Sequence, residues 1–321
     1  MIKSNYFVLL VALFCLITVS CNNIDKKNDS IQDGDNFQKI VVEDIYDAYQ
    51  FFSWTEDRIP MVSAHRGGRY YEGYTENTID VFEYVISHNP SIIEFDVSKC
   101  KDGELILMHD ETTGRTTTED KAVRDLTFEE IRNLTLVDYK RNVVKGTVPT
   151  LKEVLEWGKG KVVYTVDVKS VDYFDEVAQM IIETGAESYS AIITYTLNVA
   201  ESIHQKYPNL MLSVTVRNQD ELERLLNSSI NLNNVVAFTG TSARDKSFND
   251  SLHELGIFTI LGTMGNIDNS AKARGENVYS DVVANGADIL STDYPVEAYN
   301  AFKSLVPEKS SKSIFFKVDG E

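Results

Sequence analysis

Cysteine is scarce in this chain, with three residues in 321, at positions 15, 21 and 100. If Cys15 is removed with an N-terminal leader and Cys21, just after it, is acylated, Cys100 alone remains as a thiol. An internal disulfide is thereby excluded, and the fold must rest on its core. Basic charge is also short: 31 Lys and Arg stand against 49 Asp and Glu, a net charge of −18. Such a surface repels nucleic acid and anionic membrane faces, so no nucleic-acid partner is expected. A long apolar run is missing too. The run from Tyr6 to Val19 is shorter than the ~20 residues a spanning helix needs. What is present is 43% hydrophobic residues over a length that suits one large domain. Any phosphate handled by so acidic a protein must be met by a few local basic residues or by a metal.

The leader has the make-up of an export signal. Lys3 precedes the apolar run, and Ser20 and Cys21 follow it. The ending Thr18-Val19-Ser20-Cys21 resembles a bacterial lipobox, which implies cleavage before Cys21 and lipid attachment to its sulfur. An ordinary signal peptide with an incidental cysteine is the alternative. The polar stretch from Asn22 to about Phe37 has few apolar residues and has the composition of a disordered tether. These features predict an exported lipoprotein, periplasmic or at the cell surface, whose only membrane partner is its lipid anchor.

From Met61 onward, short β-rich runs alternate with helical stretches, the pattern of an α/β protein with parallel strands. Strands are expected near 61–65, 91–97, 162–168, 190–195, 210–216, 234–238, 257–262 and 287–292, and helices at Thr78–Ser87, Phe174–Thr184, Leu197–Lys206 and Gln219–Leu226. Eight strands favour a (β/α)8 TIM barrel over an open doubly wound sheet. Glu104–His109 follows Asp96 too soon for a parallel crossover, so it is expected to be the return arm of a hairpin. Residues from about Asp110 to Thr147 then form a small insertion after the second strand. The expected layout is a signal peptide at 1–20, a lipidated tether and lead-in at 21–55, the barrel at 56–305 and a tail at 306–321. The tail has a polar stretch and then Ile314-Phe315-Phe316, and its pattern assigns it no place in the fold.

The second strand reads Ile92-Ile93-Glu94-Phe95-Asp96-Val97. Side chains alternate along a strand, so Glu94 and Asp96 share the inner face while Ile93, Phe95 and Val97 pack outward. Two carboxylates side by side in a semi-buried site resist ionising together, and a hard cation removes that penalty. Neutralisation by nearby Arg or Lys is the alternative. The third strand, Tyr164 to Lys169, places Asp167 and Lys169 on its inner face. Asp167 can be a third metal ligand, and Lys169 a point charge for a phosphate oxygen, unless the two only pair with each other. His65-Arg66-Gly67-Gly68 closes the first strand, where a barrel carries its working residues, and His109-Asp110 closes the hairpin arm. Phosphodiester cleavage needs one group to accept a proton and another to donate one, and two histidines suit both tasks. Arg66 can hold the phosphate by paired hydrogen bonds. The two glycines are expected to make a sharp turn and leave the mouth open. His88, His204 and His253 sit in helical contexts and are expected to be structural.

These pieces, with Glu76-Asn77-Thr78, Lys101-Asp102-Gly103, Pro149-Thr150-Leu151 and the stretch from Gly286-Ala287-Asp288 through Thr292-Asp293-Tyr294-Pro295, resemble the glycerophosphodiester phosphodiesterases. They stand in that family's order over roughly residues 61–300. The resemblance implies one divalent cation, Ca²⁺ or Mg²⁺, held by Glu94 and Asp96. It implies His65 and His109 as the acid–base pair, Arg66 as a phosphate contact, and Glu76 as a residue that orients the Arg66 region. Glycerophosphodiesters would then be hydrolysed to an alcohol and glycerol 3-phosphate, with water or the substrate's own hydroxyl as nucleophile. Two departures stand out. The third strand carries Asp167 where the family usually has Glu, and the seventh, Phe258 to Met264, lacks the usual Trp-Thr pair at the mouth. Two other functions fit the same barrel. One is a phospholipase acting on lipid substrates, which would want an apolar ridge beside the mouth. The other is a catalytically dead barrel that binds a polyol phosphate or glycan.

Overall fold

The structure, a computed structural model, describes residues 38–318. The segments expected to be an export signal and a lipidated tether, with Cys15 and Cys21, lie in residues 1–37, outside the described residues.

Eight strands run parallel: β2 (Met61–Ala64), β3 (Ser91–Lys99), β5 (Val163–Val168), β6 (Ser190–Thr194), β7 (Met211–Thr215), β8 (Val235–Phe238), β9 (Thr259–Gly262) and β10 (Ile289–Thr292). β2 pairs with both β3 and β10, so the sheet closes on itself as a (β/α)8 barrel. All eight coincide with the β-rich runs of the sequence. The expected helices are also present, as Ile79–Ile86, Phe174–Glu183, Leu197–Lys206 and Gln219–Leu226. Helix Leu151–Gly158 starts on a reciprocal cap, in which Thr150 accepts from the Glu153 amide while the Glu153 carboxylate accepts from that of Thr150. No helix among the described residues is long and apolar enough to cross a membrane.

β4 (Leu105–Leu107) pairs antiparallel with β3, Leu107 opposite Val97, and returns the chain towards the barrel mouth. The insertion that follows is polar outside but has its own core, in which Ile106, Met108, Val123, Leu126, Ile131 and Leu136 enclose Cys100. Cys100 is buried, and burial together with the Asp102 carboxylate pushes its thiol up to about 11, so it is inert at neutral pH.

The two ends of the described chain meet. β1 (Gln38–Ile40) and β11 (Phe316–Val318) form a two-stranded antiparallel sheet. Helix Ile45–Phe52 buries Phe51 against Phe315, ring centroids 5.6 Å apart. Lys312 is buried, and its ammonium donates to the carbonyls of Gln50 and Ser53. The tail that the sequence left without a place is thus tied to the segment that leads into the barrel.

Candidate active site

The turn after β2 sets the site's geometry. Arg66 adopts a left-handed conformation, φ 56° and ψ 28°, which costs a non-glycine residue about 1–2 kcal/mol. In that pose its amide donates to Glu94 Oε2 at 2.7 Å. Gly67 and Gly68 follow with φ of 75° and 105°. A Cβ on Gly67 would lie 2.3 Å from Phe82, and one on Gly68 2.6 Å from Tyr71. The glycines therefore make the sharp turn, but the room they leave is taken on the core side, by two aromatic rings, and not at the mouth. Asn77, also left-handed at φ 59°, clamps the loop to β3: its side chain donates to Asp96 Oδ2 at 2.8 Å and accepts from the Asp96 amide at 3.1 Å.

Asp96 and Asp167 face each other across the β3–β5 pair, with Glu94 opposite Thr165 one step below. All three carboxylates are buried, and an oxygen from each lies within 4.8 Å of the others. Lys169 Nζ lies 2.6 Å from Asp96 Oδ1 and 2.7 Å from Asp167 Oδ2, and Tyr195 donates to that same Asp167 oxygen at 2.8 Å. Arg66 Nε is 3.4 Å from Asp96 Oδ2. Pairing with basic residues, the alternative to metal binding, is therefore real for Asp96 and for one oxygen of Asp167. It does not exhaust the cluster. Asp167 Oδ1 is buried without a hydrogen-bond partner. Burial, reinforced by the negative charges of Asp96 and Asp167, pushes the Glu94 carboxyl well above its usual range. Burial opposes ionisation of Asp96 as well, but Lys169, Arg66 and Asn77 outweigh it and hold that carboxyl below its usual range. An orphaned carboxylate oxygen beside two further carboxylates is a donor set that fits a hard cation.

Each histidine is one half of a dyad. His65 Nδ1 lies 2.6 Å from Asp293 Oδ1, and His109 Nδ1 lies 2.6 Å from Asp110 Oδ1. An ionised carboxylate only accepts, so each ring directs an Nδ1–H at its aspartate, which leaves Nε2 as the atom that can accept a proton when bare or deliver one when protonated. Burial lowers the His109 pKa, with Asp110 pulling the other way. Arg115 holds Asp110 Oδ2 at 2.6 Å and grips Glu76 with both Nη atoms, at 2.6 and 2.9 Å. Glu76 also accepts from Arg66 at 3.0 Å and Arg69 at 3.2 Å. Burial works against its charge, but the three guanidiniums bring its pKa down to about 2. Arg66, expected to grip phosphate with its fork, is thus largely engaged by the protein's own carboxylates.

His65, Glu94 and Asp167 line one cavity of about 100 Å³ inside the barrel mouth. Its far wall is Tyr195, Phe238, Ile260 and Met264, so an aromatic ring at the mouth comes from β8 where the seventh strand has none. His109 flanks this cluster and feels the charges of Asp96, Arg66 and Lys169. The other histidines lie apart: His88 is exposed beside the Tyr84 carbonyl, His204 accepts from the Asn231 amide, and His253 binds Asp288. Asp293, Asn77, Tyr195 and Arg115 are site residues to which the sequence pattern gave no role. Asn77 and Asp293 sit inside the Glu76-Asn77-Thr78 and Thr292-Asp293-Tyr294-Pro295 motifs, whereas nothing local marks Tyr195 or Arg115.

Residues 65–291 match the glycerophosphoryl diester phosphodiesterase family. A crystal structure of a glycerophosphoryl diester phosphodiesterase from Parabacteroides distasonis is 31% identical, with a TM-score of 0.84 over 88% of this chain and 99% of its own. A candidate glycerophosphodiester phosphodiesterase of Bacillus subtilis, YhdW, is 25% identical over 73% of this chain and 94% of its own length. An Oleispira antarctica phosphodiesterase, solved with the product sn-glycerol-3-phosphate, shares the fold at 19% identity, with a TM-score of 0.61 over 80% of this chain and 99% of its own.

Proposed function

The chain belongs to the glycerophosphoryl diester phosphodiesterase family and is a glycerophosphodiester phosphodiesterase, and we propose that it works with one divalent cation, Ca²⁺ or Mg²⁺, and two histidines. The observation that carries this reading is the buried Asp167 oxygen left without a partner, on a carboxylate that clusters within 4.8 Å of Glu94 and Asp96 beside a cavity that His65 also lines. Glu94, Asp96 and Asp167 would hold the cation, whose chemistry is to draw charge from the phosphate oxygens.

The chain's own residues supply the rest. Lys169 and the remaining edge of Arg66 neutralise the phosphate. His109, kept neutral by burial, accepts a proton from the attacking hydroxyl through Nε2. His65, steered by Asp293, delivers one to the departing alkoxide. Asp110 and Asp293 fix the two tautomers, and Glu76 fixes the arginines around them. The net reaction takes a glycerophosphodiester and water to an alcohol and glycerol 3-phosphate.

Apart from the exposed Tyr139 and Val143, the large apolar side chains of the insertion turn inward, and Arg69, Arg115 and Lys272 rim the grooves beside the mouth, which favours water-soluble headgroup diesters over intact lipid. The bond cut is tested by supplying sn-glycero-3-phosphoethanolamine and identifying the products. Ethanolamine with glycerol 3-phosphate supports the assignment, whereas glycerol with phosphoethanolamine would overturn it. Export and lipid attachment at Cys21 complete the proposal and rest on the sequence alone. Labelled palmitate should enter the wild-type chain in cells and fail to enter Cys21→Ser. Equal labelling would remove the anchor.

A further inference from the structure

His65 and Met264 border two spaces: the small cavity inside the mouth, and an open groove of about 460 Å³ outside it. A diester with its phosphorus beside His65 therefore has one arm in each. The inner cavity suits the small glycerol arm, and the groove is left for the alcohol. The groove floor is a pair of tyrosines: Tyr70 and Tyr294 stack with centroids 5.1 Å apart and planes 16° from parallel. Cations already lie on these rings. Lys272 Nζ is 4.3 Å from the Tyr294 centroid and 5.1 Å from that of Tyr70, and the Arg69 guanidinium is 5.2 Å from Tyr70.

The two cations differ in their partners. Arg69 is neutralised by Glu76 and Asp293. Lys272 is exposed and has no carboxylate in ion-pair range among the described residues. The acids of the groove are already engaged: Asp268 accepts from the Tyr279 and Thr292 hydroxyls and the Asp293 amide, and Asp293 from His65. In a chain of net charge −18, an unpaired ammonium held over two rings beside the reacting centre is the groove's distinguishing feature. A quaternary ammonium needs open aromatic faces, and here those faces are covered by like charge.

We propose that this groove is the subsite for the leaving alcohol and that Lys272, held by Tyr70 and Tyr294, makes it select alcohols that carry their own negative charge. The proposal rests on the phosphodiesterase reading above. Lys272 is a specificity residue, and its exposure limits its pull to that of a surface ion pair.

The test compares kcat/KM for sn-glycero-3-phosphoinositol 4-phosphate, its neutral parent sn-glycero-3-phosphoinositol, and the cationic sn-glycero-3-phosphocholine. The full chain is assayed at low ionic strength, where the Debye length exceeds about 10 Å. The wild type should prefer the phosphorylated over the neutral ester, and the neutral over the choline ester. Lys272→Gln should cut the first ratio by about fivefold, near the most an exposed pair supplies, chiefly through KM. Lys272→Arg should keep it, and Lys246→Gln, remote from the groove, should not move it. A sn-glycero-3-phosphoserine arm shows whether a carboxylate serves as well as a phosphate. Turnover of the neutral ester with a ratio that Lys272→Gln leaves unchanged, or a wild-type preference for choline, would overturn the subsite alone. Hydrolysis of none of the esters would overturn the parent reading with it.

Discussion

Asp96 on β3 and Asp167 on β5 stand directly opposite each other in strand register, and one lysine, Lys169, bridges them at 2.6 and 2.7 Å. The bridge neutralises one charge of a three-carboxylate cluster, and the burden of the unneutralised remainder falls on Glu94, whose carboxyl is pushed well upward by burial and by both aspartates.

The first prediction concerns Glu94. In the absence of a cation its charge opposes folding, so Glu94→Gln should melt at the same temperature as the wild type or higher in chelator. The same variant should lose the rise in Tm that Ca²⁺ or Mg²⁺ gives the wild type. A thermal melt with and without the ion reads both effects, and a variant that keeps the full metal-induced rise would remove Glu94 from the ligand set. For Asp167→Ala, metal affinity should drop by more than the ~10- to 100-fold expected on loss of an outer-shell partner.

The histidine dyads make the second. His65→Ala and His109→Ala should each lower kcat by about 10²- to 10⁴-fold, the usual worth of a positioned acid or base, without loss of fold. Asp293→Asn, which can no longer fix the His65 tautomer, should lower kcat while leaving KM close to that of the wild type. Normal turnover in either alanine variant would dismiss the acid–base assignment.

The third is a pH dependence. Burial lowers the His109 pKa below 6.5 and Asp110 partly restores it. A base works deprotonated, so kcat/KM should rise with pH through an inflection that lies below pH 6.5. Asp110→Asn removes the contribution that raises the pKa, so the acid limb should move further down in pH. An acid limb that moves upward in this variant contradicts the assignment of His109 as base.

The fourth concerns Glu76, which accepts from Arg66, Arg69 and Arg115. Its pKa falls from 4.5 to about 2, so its ionised form stabilises the fold by roughly 3 kcal/mol. That contribution is fully present above pH 4.5 and is lost as pH falls towards 2. Urea unfolding should show Glu76→Gln less stable than wild type at pH 7, with the gap narrowing between pH 4.5 and pH 3. A gap that stays constant with pH would mean that charge is not what Glu76 contributes.

The barrel was legible in the sequence because its strands are short β-rich runs set between helices of period 3.6, and the alternation in Ile92 to Val97 already puts Glu94 and Asp96 inside. Pairings between distant segments were not legible. His65 with Asp293 joins loops that only barrel closure brings together, and Glu76 with Arg115 joins the loop after β2 to the insertion. The polar composition of residues 110–147 hid a small core, because its apolar residues come singly or in pairs between polar ones. The tail could not be placed because its partners, Gln50, Phe51 and Ser53, lie some 260 residues away. Gly67 and Gly68 show a subtler gap: the turn follows from the residue type, but the rings of Phe82 and Tyr71 that press on them do not.

The most direct test of the central claim is release of glycerol 3-phosphate from a glycerophosphodiester by protein stripped with chelator and then given Ca²⁺ or Mg²⁺. The cluster of Glu94, Asp96 and Asp167 predicts no release in chelator and full recovery when the right ion returns at one equivalent. Release at full rate in chelator would contradict it and leave the two histidine dyads to account for catalysis alone.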